Sequence, residues 1–279
     1  IGVRRTKDVA PWDGSADDLQ WIQAPPGSYL ADPFLFERDG QTWLFAEDYV
    51  HAENKGRLVC APLAPDGQVG AWKTVLDLPY HLSFPYVFAH ETEVYLIPES
   101  SAGGSVDLYR AEEFPYRWTK LRTLWEGPAL DTVPYLAGDG SWYFFTSVQS
   151  HKLMPPALLL FTAPDLRTPW RTHPASPLSL DVRYARNAGR IMEISDGSGG
   201  VRLIRPSQDG SGKYGCRMHF HEIQMLSPDR YAERLIAMRL PPAGRDGIHQ
   251  YDVTGSWEVI DCSRTVSGSR SRGKKTLRH

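Results

Sequence analysis

Short apolar runs, alternating with polar positions and broken by turn residues, recur along the whole chain. Phe34-Leu35-Phe36 and Thr42-Trp43-Leu44-Phe45 flank Asp39-Gly40. Apolar/aromatic alternation around Asp-Gly predicts a β-hairpin. The same unit returns at Ser83–Phe88 with Val94–Ser100, and at Thr132–Leu136 with Ser141–Ser147 across Gly138-Asp139-Gly140. Weaker copies follow at Arg183–Ile191 with Val201–Pro206, and at Gly247–Tyr251 with Trp257–Asp261. Pro33, Pro85 and Pro134 mark a period of about 50 residues. Each of the first four hairpins is followed by a third apolar run: Gly56–Leu63, Ser105–Ala111, Ala157–Ala163 and Cys216–Ile223. An aromatic then comes after each, at Trp72, Trp118, Trp170 and Tyr231, with an outer strand leading to the next hairpin.

Four strands per unit at this period is the pattern of a propeller blade, and five units fit 279 residues. The sequence therefore predicts an all-β fold: a five-bladed β-propeller of four-stranded blades. Little chain follows the fifth hairpin, so the N-terminal strands, from Gly2–Arg5 to Leu19–Ile22, should join the last blade and close the ring. Residues 1–262 form a single propeller domain in this reading, and 263–279 a disordered basic tail rich in Ser, Gly, Arg and Lys.

Composition narrows the function. Gly and Pro number 24 and 22, which suits many turns, and the net charge of −2 argues against a general nucleic-acid surface. No apolar run approaches the roughly 20 residues of a membrane span. Three widely spaced cysteines, Cys60, Cys216 and Cys262, give neither a disulfide framework nor a zinc pattern. Their odd number, with no signal peptide at the start, tilts towards a reducing, cytoplasmic setting. No phosphate loop, Gly-x-Ser-x-Gly elbow or His-Glu-x-x-His sequence is present.

In a propeller, the start of every innermost strand and the end of the second open on one face. The polar residues at those positions are Asp32, Glu47 and Asp48; His81, Ser83 and Glu99; Asp131 and Ser147; Asp181, Arg183, Arg186, Arg205, Gln208 and Tyr214; and His249 and Asp261. Each has two readings. Asp32 is either a general base or a turn cap. Glu99 tops an apolar strand, where desolvation would raise its pKa and suit a general acid; alternatively it pairs with Arg183 or Arg186. Asp131 either tunes a neighbour's pKa or serves a turn. The three arginines either balance carboxylates or bind an anionic group on a ligand. His249 either contacts a ligand, holds a water or structural ion on the axis, or is a satisfied core histidine. No cofactor or metal set is otherwise indicated. His219 and His221 lie on a third strand and read as structural. Trp72, Trp118 and Trp170 read as packing between blades, and Trp43 and Trp142 as packing too.

Ala31-Asp32-Pro33-Phe34 resembles the opening of the five-bladed glycoside hydrolases of the arabinanase/β-xylosidase, levansucrase/invertase and arabinofuranosidase group. That resemblance implies Asp32 as general base and Asp131 as pKa modulator. Arg183 and Arg186 stand where that group commonly has its acid, so Glu99 or Glu47 would serve instead. A closer resemblance spans most of residues 20 to 262. His81-Leu82-Ser83-Phe84-Pro85, Ile97-Pro98-Glu99-Ser100, Leu108-Tyr109-Arg110-Ala111, Phe114-Pro115, Arg205-Pro206-Ser207-Gln208-Asp209 and Tyr214-Gly215 are similar to the propeller at the N-terminus of plant glucosamine inositolphosphorylceramide transferases. Bacterial relatives share it, some fused to formyltransferase-like domains. The resemblance implies glycan or glycolipid handling and a carbohydrate ligand.

The expected function is a carbohydrate-active, glycoside hydrolase-like enzyme cleaving a furanosidic or acidic-sugar linkage. Asp32, Glu99 and Asp131 would be catalytic. Glu47, Asp48, His81, Ser83, Arg183, Arg186, Arg205, Gln208 and His249 would bind substrate. The alternative is a non-catalytic glycan-binding domain that assists a fused or associated glycosyltransferase or formyltransferase.

Overall fold

The computed structural model describes residues 1–6, 10–13, 18–149, 154–212 and 214–264. Five antiparallel sheets form five blades. Blade one is β3 (Ser28–Arg38), β4 (Gln41–Val50), β5 (Lys55–Leu63) and β6 (Lys73–Leu76). Blade two is β7 (Ser83–His90), β8 (Glu93–Glu99), β9 (Ser105–Glu113) and β10 (Arg117–Glu126). Blade three is β11 (Ala129–Leu136), β12 (Trp142–Val148), β13 (Ala157–Ala163) and β14 (Arg171–Thr172). In blade four the inner strand is split into β15 (Arg186–Asn187) and β16 (Met192–Ser195), backed by β17 (Val201–Gln208), β18 (Met218–Leu226) and β19 (Tyr231–Arg239). Blade five pairs β20 (Gly247–Thr254) and β21 (Trp257–Ser263) with β1 (Gly2–Arg5) and β2 (Gln20–Trp21), so the N-terminal strands close the ring as expected. The closure carries a buried ion pair, Arg4 Nη2 to Glu258 Oε1 at 2.6 Å. No helix among the described residues is long and apolar enough to cross a membrane. All but the first two residues of the tail expected over 263–279 lie outside the described residues.

The alternating apolar faces pack between blades. Trp118 of blade two meets Phe45 of blade one edge-on, as well as Phe114, whereas Trp170, expected between blades, stacks within blade three on Phe144 with ring centroids 4.0 Å apart. Trp43 packs on Phe114 and Tyr116, and Trp142 on Phe88. The tryptophans are therefore core, not sugar platforms. His221 is buried on β18 against Ser207, also as expected.

One ion pair ties the middle of the ring together. Arg190, in the break between β15 and β16, reaches Asp252 of blade five at 2.6 Å. Asp252 Oδ2 also accepts the Leu35 N–H of blade one at 2.7 Å. The guanidinium lies over Tyr86 of blade two, whose hydroxyl donates to Pro134 O of blade three. All five blades touch this relay. The strand break that frees Arg190 has its own cause. Gly189 has φ +132°, and a Cβ there would sit 1.9 Å from Tyr251 O, so only glycine lets blade four approach blade five this closely.

Asp252 is fully buried, and removing its cation leaves an uncompensated charge. Arg190→Met should lower stability by about 3–5 kcal/mol in denaturant unfolding, and Asp252→Asn added to it should recover part of the loss. A single variant as stable as the wild type would contradict the relay.

Candidate active site

A bulge builds the mouth of the ring. In β3, Ala31 pairs with Glu47 and Phe34 with Phe45, so one extra residue is squeezed into the inner strand. β7 and β11 carry the same irregularity between Ser83 and Tyr86 and between Leu130 and Val133. The first residue inside each bulge is left-handed: Asp32, Phe84 and Asp131 have φ of 49°, 46° and 49°. Such backbone costs about 1–3 kcal/mol per residue and collects at functional sites. This register also corrects the repeat. Asp131 is the counterpart of Asp32, so Thr132 takes the place of Pro33 and Pro85, and Pro134 lies two positions beyond it.

The bulges turn side chains towards a cavity of about 600 Å³, lined among others by Tyr29, Asp32, Glu47, His81, Ser83, Glu99, Arg186, Tyr214, His249 and Asp261. Two cations organise it, each shared by two carboxyls. His249 Nε2 lies 3.1 Å from Asp32 Oδ1 and 3.2 Å from Asp261 Oδ2. Burial opposes protonation of His249, but the charge of Asp261 and the hydrogen bond to Asp32 overcome it and push its pKa up to about 9. Arg186 grips Asp131 through Nε and Nη2, both at 2.7 Å, while Nη2 lies 3.6 Å from Glu99 Oε2. Neighbouring blades are stitched in sequence: Asp32 N–H donates to Asp261 Oδ2 at 2.8 Å, and Phe84 N–H to Asp32 Oδ2 at 3.2 Å.

The three inward carboxyls of blades one and two sit in different electrostatic settings. Burial would raise Asp32, but the hydrogen bond and charge of His249, helped by Arg186 and the Phe84 N–H, hold it below the ordinary carboxylate value. Glu99 goes the other way. Burial and then the Asp131 charge push it up to about 8 against the pull of Arg186. Glu47 is driven to about 10 by burial and by Asp32, Asp261 and Glu99 around it. Near neutral pH, Asp32 is therefore an anion beside two protonated carboxyls.

Several expected ligand contacts fall elsewhere. Arg183 is not in the inner strand: Tyr184 and Ala185 N–H both donate to Asp181 O, the chain turns there, and Arg183 pairs with Asp181 in solvent. Arg205 is sealed inside blade four, where Glu233 accepts from Nε and Nη2 at 2.8 and 2.6 Å. Asp48 alternates to the face opposite Glu47 and binds Arg57 at 2.9 Å. Gln208 supports the site from behind, donating to Asp131 Oδ2 and Asn187 O. Asp131 itself is not part of the cavity wall; it contacts the wall residue Arg186 from behind. Glu47, His81, Ser83, Glu99, Arg186 and His249 do line the wall with Asp32. Tyr29 was not anticipated. Strand β3 begins at Ser28, six residues before Phe34, where the sequence places the start of the strand, and Tyr29 stacks on its cross-strand partner Tyr49 at 4.8 Å. That pairing of like aromatics was the available signal.

The acceptor atoms of Asp32, His249 and Asp261 lie within 4.8 Å of one another, a spacing that can also hold a metal ion. An ion there would have to displace the His249 proton that now serves both carboxylates.

The family described as "Glucosamine inositolphosphorylceramide transferase 1, N-terminal" matches residues 19–254. The chain belongs to this family. It is 32% identical over 266 residues to Glucosamine inositolphosphorylceramide transferase 1 of Oryza sativa subsp. japonica, and 30% identical over 272 residues to that of Arabidopsis thaliana. These alignments cover 88% and 87% of this chain but 35% and 33% of the relatives, so the chain spans about a third of their length. Among solved structures, the catalytic domain of the Coprinopsis cinerea GH62 α-L-arabinofuranosidase aligns over 94% of this chain and 91% of its own, with TM-score 0.60 and 16% identity. The RS223 β-xylosidase aligns over 85% and 93%, with TM-score 0.61 and 10% identity. A GH43 enzyme from Xanthomonas citri complexed with xylose aligns over 82% and 80%, with TM-score 0.58 and 15% identity. These likenesses establish a shared propeller fold.

The raised carboxyls make a stability prediction. A group whose folded pKa is raised stabilises the fold below its unfolded pKa and loses that contribution as pH climbs through the folded value. Wild-type stability should therefore fall from about pH 5 upward. Glu47→Gln, which keeps the shape without the proton, should flatten the fall between pH 6 and 9 by up to about 1.4 kcal/mol per pH unit. Parallel pH profiles for variant and wild type would contradict the assignment.

Proposed function

We propose that the cavity binds a sugar and cleaves its glycosidic bond, with Asp32 as general base or nucleophile and Glu99 as general acid. The observation that carries this reading is the split between two carboxyls on one cavity wall, Asp32 held below the ordinary value and Glu99 raised to about 8. Opposed environments on paired carboxyls are how one site runs acid and base chemistry together. Asp131 has the modulating part: its charge keeps the proton on Glu99, and it fixes the guanidinium of Arg186 beside the reacting bond. His249 holds Asp32 in place, and Glu47, His81 and Ser83 offer further contacts to hydroxyls. A separation of about 5–5.5 Å between the two working carboxyls would give retention, and about 6.5–9.5 Å inversion. The shared fold of xylosidases and arabinofuranosidases supports the reaction class by analogy alone.

A second reading is a glycan-holding domain without chemistry. It is favoured by the curated relatives, which carry the name of a transferase and of which the matched region covers 35% or less. The two separate in one experiment. A panel of aryl furanosides and pyranosides, with natural oligosaccharides, is screened for turnover by the wild type, Asp32→Asn and Glu99→Gln. Hydrolysis should fall by about 10²–10⁴-fold in each variant, and the wild-type rate should decline above about pH 8 as Glu99 loses its proton. Turnover equal in all three proteins would refute the assignment, and binding without turnover would establish the second reading.

A further inference from the structure

We propose that the cavity takes a glycan of two or more units, and that Tyr29 and Tyr214 are the platforms on which two of its sugar rings lie. The inference rests on the reading that the cavity binds a sugar. It begins from where the exposed aromatic rings stand. Every tryptophan and phenylalanine among the described residues is buried or half-buried. The exposed large apolar side chains include two aromatics, Tyr29 at 43% and Tyr214 at 57%, and both line this one cavity. Single exposed apolar side chains are ordinary on a protein surface, but aromatics gathered on a concave wall mark a place where a ligand is bound. The cavity, about 600 Å³, is within the range that encloses a drug-sized ligand, so it has room for more than one sugar ring.

Tyr29 is held so as to present one face. Its ring and that of Tyr49 are 4.8 Å apart at the centroids and 9° from parallel. That distance matches the separation of neighbouring strands, so the two rings stand side by side across the sheet. Tyr49 belongs to the second strand of the blade and covers the outer face of Tyr29; β3 is the innermost strand, so the other face is turned to the axis. Tyr49 is itself fixed, because its hydroxyl donates to Asn54 Oδ1 at 2.6 Å. Burial and the charges of Glu47, Asp32 and Asp261 raise the pKa of the Tyr29 hydroxyl, which stands beside these acids. Tyr214 flanks the mouth from another side, in the segment between β17 and β18. Its ring lies over both cations, with Arg186 Cζ 5.3 Å and the His249 ring 5.0 Å from its centroid. Gly215 makes this approach possible: its φ is +62°, and a Cβ there would sit 2.6 Å from His249 Cβ. A sugar ring carries C–H bonds on its faces and hydroxyls round its edge. The C–H face suits the negative face of an aromatic ring, and the hydroxyls suit the polar wall between the two tyrosines. Glu47 Oε1, buried there without a hydrogen-bond partner, is left for one of those hydroxyls. Tyrosines lose little conformational freedom when a ligand settles on them, and here one is already stacked in place.

The test is a length series followed by proton NMR. The probes are glucose, galactose, mannose, xylose and arabinose, each with its own linear di-, tri- and tetrasaccharides, titrated into the wild-type chain at pH 5, or into Glu99→Gln if the wild type turns them over. At least one disaccharide or longer glycan should bind about tenfold or more tighter than its monosaccharide. Its ring C–H protons should move upfield on binding, as protons above an aromatic face do. Tyr29→Ala and Tyr214→Ala should each weaken the longer glycan about fivefold or more and change the monosaccharide less, and each should erase part of the upfield shift. Tyr29→Phe and Tyr214→Phe, which keep the ring and lose the hydroxyl, should recover most of that loss. The length preference and the ring-current shift are read without the tyrosine variants, so the claim stays testable even if those do not fold. A monosaccharide bound as tightly as every longer glycan, or a bound glycan with no upfield-shifted C–H proton, would overturn the inference while leaving the sugar-binding reading intact. Binding of none of these sugars would overturn both.

Discussion

A shortage of positive charge governs the mouth of this propeller. Five carboxyls gather where five strands converge, and among the described residues two cations, Arg186 and His249, pair with four of them. Coulomb repulsion in a poorly solvated cavity makes five anions untenable. The structure resolves this by letting His249 keep its proton between Asp32 and Asp261, by letting Arg186 serve Asp131 and Glu99 together, and by leaving Glu47 and Glu99 protonated. The acid–base asymmetry proposed for the site is a consequence of that arrangement. An Asp32 carboxylate beside a protonated Glu99 is the cheapest way to distribute few protons among many acids.

The scaffold makes the crowding permanent. Blades pack through aromatic faces, so the inner strands cannot splay apart to relieve repulsion. The bulges at Asp32, Phe84 and Asp131 hold left-handed backbone where the blades meet. Deeper on the axis, the Arg190–Asp252 pair crosses from blade four to blade five and reaches blade one through Leu35. With Tyr86 and Pro134 this relay touches all five blades. Catalysis by pre-placed charges needs such rigidity, because groups that could relax would lose their shifted pKa values.

The fold was legible in the sequence because its signals are local. Asp39-Gly40, the alternating aromatics and a period of about 50 residues each follow from backbone and burial rules, and the closure by Gly2–Arg5 followed from the need to remove sheet edges. The site was legible only in part. Asp32, Glu99 and His249 were placed by topology, since strand ends converge wherever a propeller forms. Partner choice was not legible. Arg183, Arg205 and Asp48 stood in suitable places by count, but a two-residue turn, a cross-strand Glu233 and strand alternation took each of them elsewhere. Such outcomes depend on which of several acids a guanidinium meets first in three dimensions. Pro134 misaligned the repeat by two residues, because a proline recurs near the inner strand of blade three without occupying the bulge position of Pro33 and Pro85.

The central claim is that two carboxyls at this mouth stay protonated at neutral pH because the cations are already shared. Carbon-13 NMR titration of side-chain-labelled glutamate reads this directly, with Glu47→Gln and Glu99→Gln to assign the two resonances. Two glutamate carboxyls should titrate well above the rest, one near pH 8 and one higher still. Titration of every glutamate below about pH 5, in the ordinary range of an exposed carboxyl, would contradict it.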